Sequence, residues 1–170
     1  MTGSEAGVNG VLRLRLDRDD AATRMVRRSA DDAAVGIVIL DATATPPDAD
    51  AFLAAVADAP QPTIALLRGA PPDFAARLAA AADIAVASEN QRFRGVETDR
   101  RFVAAIGARQ ARRFALGGED FDAETARRIG LAQFDAMDAQ LEATLDALLA
   151  RLLARGAAAE LRRAKAVLHA

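Results

Sequence analysis

Chemistry in this chain has to be built from carboxylates, guanidinium groups and backbone donors. There is no cysteine and only one histidine, His169. Thiolate nucleophiles, disulfides and thiolate metal sites are excluded. His169 falls where the chain is expected to fray, so no histidine triad or multi-histidine metal centre is available. The stretch "RGAPPDFAARLAAAADIAVASENQRFRGVET", residues 68–98, gathers most of what remains. Asp73 follows Pro71 and Pro72 at the head of an alanine-rich helix, where it is placed to be the N-cap and to accept the N–H groups of the first turn. Arg77 stands four residues on, a spacing that allows an ion pair along the helix worth about 0.2–0.5 kcal/mol. Glu97 in "RFRGVE" reads as an exposed loop carboxylate or as a partner for the neighbouring arginines.

Residues 68–113 hold nine arginines against five acidic residues, a local balance of +4 in a chain of net charge -2. That surface admits an anionic partner, and equally the blander reading of a solvated arginine face. Lys165, the only lysine, reads as a surface residue. Gly117 and Gly118 read as helix-stop residues, and no phosphate-loop or dinucleotide fingerprint is present.

At 170 residues the chain has the size of one domain, 1–170, with room for a single core. Tryptophan and tyrosine are absent. Neither a general nucleic-acid surface nor a base-stacking platform is indicated. No apolar run approaches the roughly 20 residues that cross a bilayer, and "MTGSEAGVNG" lacks the regions of a signal peptide. A soluble protein of the cytoplasm, without membrane contact, is expected.

These groups are carried by alternating strands and helices. "VLRLRL", residues 11–16, alternates apolar and basic residues as a half-buried edge or hairpin strand does. "DRDDAATRMVRRSADD" has helix character, and "AVGIVIL" at 34–40 is a short β-branched run suited to a covered strand. "ATATPPDADAFLAAVADAP" supplies a turn, a helix with Asp48 or Asp50 near its start, and a stop at Pro60. Strand "PTIALLRG", helix "DFAARLAAAA" and strand "DIAVAS" follow. The alternation predicts a parallel sheet with packed crossover helices, an α/β core over 1–99. Over 100–170 the pattern turns helical, at about 100–116, 122–129 with Asp122 as cap, 137–155 and 157–168. Leu141, Leu145, Leu148, Leu149 and Leu152 share one stripe.

The order of short motifs from Phe52 onward resembles the enoyl-CoA hydratase/isomerase family, the crotonase superfamily. "FLAAVADAPQPTIALLRGA" is similar to the family's helix, proline and strand before its Asn-Gly-Ala turn. "LAAAADIAVASENQRF" is similar to "LA..CDI.IAs..A.F" in the same ungapped register. "FALGGEDFDAETARRIGLA" at 114–132 and "ELRRAKAVL" resemble the later helices. The resemblance implies a crotonase-like fold of repeated β-α-β units with a helical C-terminal region. It also implies acyl thioesters as ligands, on CoA or phosphopantetheine, with no resident cofactor.

In that family two backbone N–H groups hold the thioester carbonyl, one after an early strand and one in a Gly-Gly-Gly run opening a helix, while two glutamates handle water and proton. The glycine run falls on Asp73, Phe74 and Ala75, so Phe74 and Ala75 carry the implied oxyanion donors, with the Phe74 ring expected at the approach. The loop bearing the other donor, after "GIVIL", is shortened to "DATATPPDAD". Arg77 stands at the first glutamate position and Glu97 at the second. Arg68, Arg77 and Lys165 are the implied anion-binding cations, and Glu97 with Asp73 the implied acid and base. Two functions follow. One is an accessory, non-catalytic member of a biosynthetic pathway, a homo-oligomer such as a trimer that binds a partner enzyme or an acyl carrier protein. The other is an active isomerase, hydratase or decarboxylase working through a rearranged oxyanion site and Glu97.

Overall fold

The computed structural model describes residues 4–6, 10–16, 21–95 and 99–168. Its centre is a six-stranded sheet: β1 (Ser4–Ala6), β2 (Val11–Leu16), β3 (Ile37–Ala42), β4 (Thr63–Leu67), β5 (Ile84–Ser88) and, from much later in the chain, β8 (Phe134–Ala136), adjacent in that order. All neighbours pair in parallel except β1, which runs antiparallel to β2. β2 is therefore a hairpin strand, flanked by β1 and β3, rather than an edge. A further strand pair, β6 (Arg92–Arg94) with β7 (Asp120–Asp122), forms a separate two-stranded ribbon.

Helices cover both faces of the sheet, which explains the near-continuous apolar character of β3 and β4. On one face Leu14, Leu16, Val38, Leu40, Ala65, Leu67, Ala85 and Ala87 share a core with α1 (Ala21–Asp31), α2 (Ala49–Ala57) and α3 (Pro72–Ala81). α1 turns Ala22, Val26 and Ser29 inward at the spacing of one helical stripe. On the other face Ile37, Ile39, Ile64, Leu66 and Val86 meet Leu141, Leu145 and Leu148 of α7 (Leu141–Leu153) and Leu161 of α8 (Ala158–Leu168). The leucine stripe expected on α7 is thus part of the core, with Leu149 and Leu152 half-buried at its margin.

Two helix starts follow their sequence signals. Asp48 caps α2 by accepting from Ala51 N at 3.1 Å, and Asp122 caps α6 (Ala123–Arg128) by accepting from Thr125 N at 2.8 Å. The single helix expected over 100–116 is instead two, α4 (Arg100–Ile106) and α5 (Ala108–Gly117). The break is Gly107, whose φ of 79° lies outside the helical region and at a value glycine adopts without a Cβ clash. The region beyond residue 100 is also not purely helical. β7 and β8 are strands too short to show a periodic pattern, and β8 completes the main sheet.

α8 is stitched across the sheet's N-terminal end. The Arg162 guanidinium donates to the carbonyls of Ser29, Ala30, Asp32 and Val35, at 2.6–3.3 Å, satisfying acceptors at the C-terminal end of α1. Lys165, expected at the surface, is buried. Its ammonium donates to Asp83 at 2.6 Å and to the Gln61 carbonyl at 3.2 Å, because α8 packs against the segment entering β4. Asp83 also accepts from the N–H and hydroxyl of Thr63.

Candidate active site at the start of α3

The turn from β4 into α3 contains Arg68, Gly69 and Ala70. Gly69 has φ 81°, a left-handed conformation that lets the chain reverse at once. The turn is held from inside by Gln91, which is 1% exposed. Its Oε1 accepts from Gly69 N at 2.9 Å and Ala70 N at 3.0 Å, while its Nε2 donates to Ala70 O at 2.9 Å and Arg92 O at 2.5 Å. Sequence reasoning missed Gln91, because a glutamine between two short strands carries no local signal of what its side chain reaches.

The helix begins two residues earlier than the reading of Asp73 as N-cap requires. Pro71 (φ -52°, ψ 135°) is the N-cap and Pro72 the first helical residue. This is the place a proline ring favours, since its missing N–H would have no helical partner there. Asp73 is consequently inside the first turn, exposed, and makes no capping hydrogen bond. It does not occupy the first-turn donors. Ala75 N is engaged all the same, donating to Pro71 O at 2.8 Å. The N–H of Phe74 makes no hydrogen bond among the described residues. The Phe74 ring, expected at the approach, is 1% exposed and turned into the core, its centroid 6.3 Å from that of Phe52 on α2.

Arg77 does not pair with Asp73. The helix turns its guanidinium toward α2 and α4, where it ion-pairs with Asp50 and donates from Nε to Asp99 Oδ2 at 3.2 Å. Burial works against the charge, and the hydrogen bonds to Asp50 and Asp99 outweigh it, raising the guanidinium above its ordinary proton affinity. Asp99, 8% exposed, at the same time caps α4 by accepting from Arg101 N at 2.9 Å. Asp50, Arg77, Asp99, Arg100 and Arg101 line an open cleft of about 560 Å³. Glu97 lies outside the described residues.

On the opposite face of the sheet, at the same C-terminal strand ends, Arg68 joins a four-charge cluster. Asp41 of β3, its side chain 5% exposed, receives Arg68 at 2.5 Å and Arg13 of β2 at 2.8 Å, and both guanidinium groups also reach Glu142 of α7, at 2.9 and 2.8 Å. Burial favours the neutral form of Asp41, but the two arginines more than offset it and hold the carboxyl below its usual range. Hydrogen bonding from Arg13 lowers Glu142 in the same way. Nearby, Asp138 accepts from Ser88 and from Asn90, at 2.7 Å for the latter, and is likewise lowered. The expected anion-binding cations Arg68, Arg77 and Lys165 are therefore each engaged by a carboxylate of this chain.

The connection from β3 to α2 is only residues 43–48, and its last member caps α2. Among the described residues, the carboxylates whose proton affinity is displaced, Asp41, Asp122, Asp138 and Glu142, are displaced downward. A general acid at neutral pH needs the opposite displacement. The start of α3 thus offers a glycine turn, a helix N-terminus and the unbonded N–H of Phe74.

Comparison with solved structures places the fold. An enoyl-CoA hydratase of Mycobacterium smegmatis superposes with a TM-score of 0.82 at 19% identity, covering 99% of this chain and 82% of its own. A monofunctional enoyl-CoA isomerase of M. smegmatis gives 0.77 at 23% identity, over 98% and 91%. An enoyl-CoA hydratase of Mycobacterium marinum gives 0.79 at 20% identity, over 98% of both chains. No curated protein matches the chain. The enoyl-CoA hydratase/isomerase family itself matches residues 36–170. With the motif order, the parallel sheet and this match in agreement, the chain belongs to the enoyl-CoA hydratase/isomerase family.

Proposed function

We propose that this family member is an accessory protein without ordinary enoyl-CoA hydratase activity, a cytoplasmic subunit that binds an acyl thioester or a partner enzyme rather than converting a substrate. The observation that carries this reading is Arg77. At the position of the family's first glutamate it brings a permanent positive charge, locked between Asp50 and Asp99. A guanidinium cannot accept a proton from water at any working pH, so the two-carboxylate chemistry of hydration has lost one member. The buried Phe74 ring supports the same reading, since it fills space beside the first turn of α3. Residues 1–170 act in this proposal as one domain, assembled as a homo-oligomer.

One observation favours a second reading. The free N–H of Phe74 is a donor still available to a developing oxyanion. An isomerase or decarboxylase would need only that donor and one base, a role for Glu97, with Asp73 exposed nearby as a second carboxylate.

The two are separated by incubating the purified protein with a panel of enoyl-CoA and enoyl-acyl-carrier substrates, alongside Glu97→Gln and Asp73→Ala. Thioester binding without turnover is the expected result. Turnover that disappears in Glu97→Gln overturns the accessory reading and establishes the second.

A further inference from the structure

Among the described residues some arginines are ion-paired within the chain and a larger number are not, and three of the latter share one face of a single helix. Arg13, Arg68, Arg77, Arg94 and Arg127 each form an ion pair with a carboxylate of the same chain. Arg109, Arg112 and Arg113 on α5 do not, among the described residues. Arg112 reaches only the Ala108 carbonyl of its own helix, and Arg113 lies 5.2 Å over the ring of Phe114. Arg113 shares a cleft with Glu119, Asp120 and Asp122, none of them within ion-pair distance of it.

The three are placed on one helical face with a fourth residue of a different kind. Ala111 and Phe114 are the buried residues of α5, and Phe114 packs on Phe121 of β7 with centroids 4.3 Å apart. That fixes the outward face as Arg109, Arg112, Arg113 and Leu116, the i, i+3, i+4, i+7 pattern of one stripe. Leu116 is 79% exposed, the most exposed large apolar side chain among the described residues. α5 ends directly after it at Gly117, with Gly118 in the left-handed C-cap conformation and β7 paired to β6 just beyond, so the stripe sits on a braced helix.

We propose that this face of α5 docks a helix of a partner protein that carries carboxylates at helical spacing followed by an apolar residue. The stripe spans eight residues, seven steps of 1.5 Å or about 10 Å, which is two turns of a facing helix and too long for a single phosphate or carboxylate. The unpaired charges recognise an acidic surface and steer the encounter, and Leu116 supplies the apolar contact that a nucleic acid backbone would leave unused. The inference uses no residue of α3 and stands whether or not thioester chemistry survives there.

The test uses the whole protein and a fluorescein-labelled, helix-stapled peptide with Glu at i, i+3 and i+4 and Leu at i+7. A scrambled peptide of the same composition, duplex DNA and inorganic phosphate serve as competitors, with binding read by anisotropy. The designed peptide is expected to bind at least tenfold more tightly than its scramble. That affinity falls by more than tenfold in Arg109→Glu/Arg112→Glu/Arg113→Glu and by about threefold to fivefold in Leu116→Ser. Thermal melting of the variants by circular dichroism is expected to stay at the wild-type value, since all four side chains are exposed. Equal binding of the scramble, an unchanged affinity on charge reversal, or stronger competition by DNA or phosphate than by unlabelled peptide overturns the proposal.

Discussion

Arg77 Nε donates to Asp99 Oδ2 at 3.2 Å, while Oδ1 of the same carboxylate accepts from Arg101 N at 2.9 Å. One buried carboxylate thus ties α3 to the start of α4.

Replacing Arg77 by Met keeps much of its length and removes the charge, leaving the Asp99 side chain, among the described residues, with its capping bond to Arg101 N. A loss of about 1–3 kcal/mol is expected, below the value for a fully buried pair because Arg77 is partly exposed. Urea unfolding measures it. Arg77→Glu, which puts a glutamate where the motif resemblance implies one, is expected to cost more by setting three carboxylates together, and to yield no hydratase turnover in a crotonyl-CoA assay.

Phe74→Ala removes a ring that is 1% exposed and packed against Phe52. The expected destabilisation is about 3–5 kcal/mol, with Phe74→Leu costing less than half as much. Denaturant midpoints at constant slope would establish that the ring is core and not a mobile cover.

The Asp41 cluster predicts the acid limb of stability. Asp41 and Glu142 are both lowered in the folded protein, so the unfolded chain binds more protons as the pH falls. Their contribution is complete above the unfolded carboxylate values of about 4 and is lost as pH drops through the lower folded values. Stability is therefore expected to be level from about pH 7 to 5 and to decline below about pH 4. Asp41→Asn lowers the plateau and flattens the decline, as unfolding curves at stepped pH will record.

How much of this was legible in the sequence depends on the range of the contact. The repeated strands and helices of residues 11–88 declare themselves through apolar runs, and Asp48 and Asp122 signal their caps within three residues. The match to the family likewise rests on local motifs. At Asp73 a capping aspartate and a Pro-Pro start compete for the head of the helix, and the proline geometry prevails. Lys165 and Gln91 escaped for another reason. Their partners, Asp83 and the Gly69 turn, lie 82 and 22 residues away, and no periodicity encodes such pairings. β8 is three residues long and owes its strand conformation to β5 alongside it.

The Lys165–Asp83 pair gives a fourth expectation. Lys165→Met and Asp83→Asn, singly and together, form a cycle whose coupling should be about 1–3 kcal/mol, since the Lys165 side chain is 7% exposed and that of Asp83 23%. A coupling near zero would make the contact incidental to the docking of α8.

The four carbonyls that Arg162 collects are more than 125 residues away from it along the chain. Such a closure is slow to be reached during folding, because the intervening loop entropy is spent before the contact gives anything back. α8 is accordingly a latch that sets late, and loosening it at Arg162 should leave the folding rate nearly unchanged while hastening unfolding. The lifetime of the native state, more than the ease of reaching it, is then expected to depend on a single side chain of the last helix.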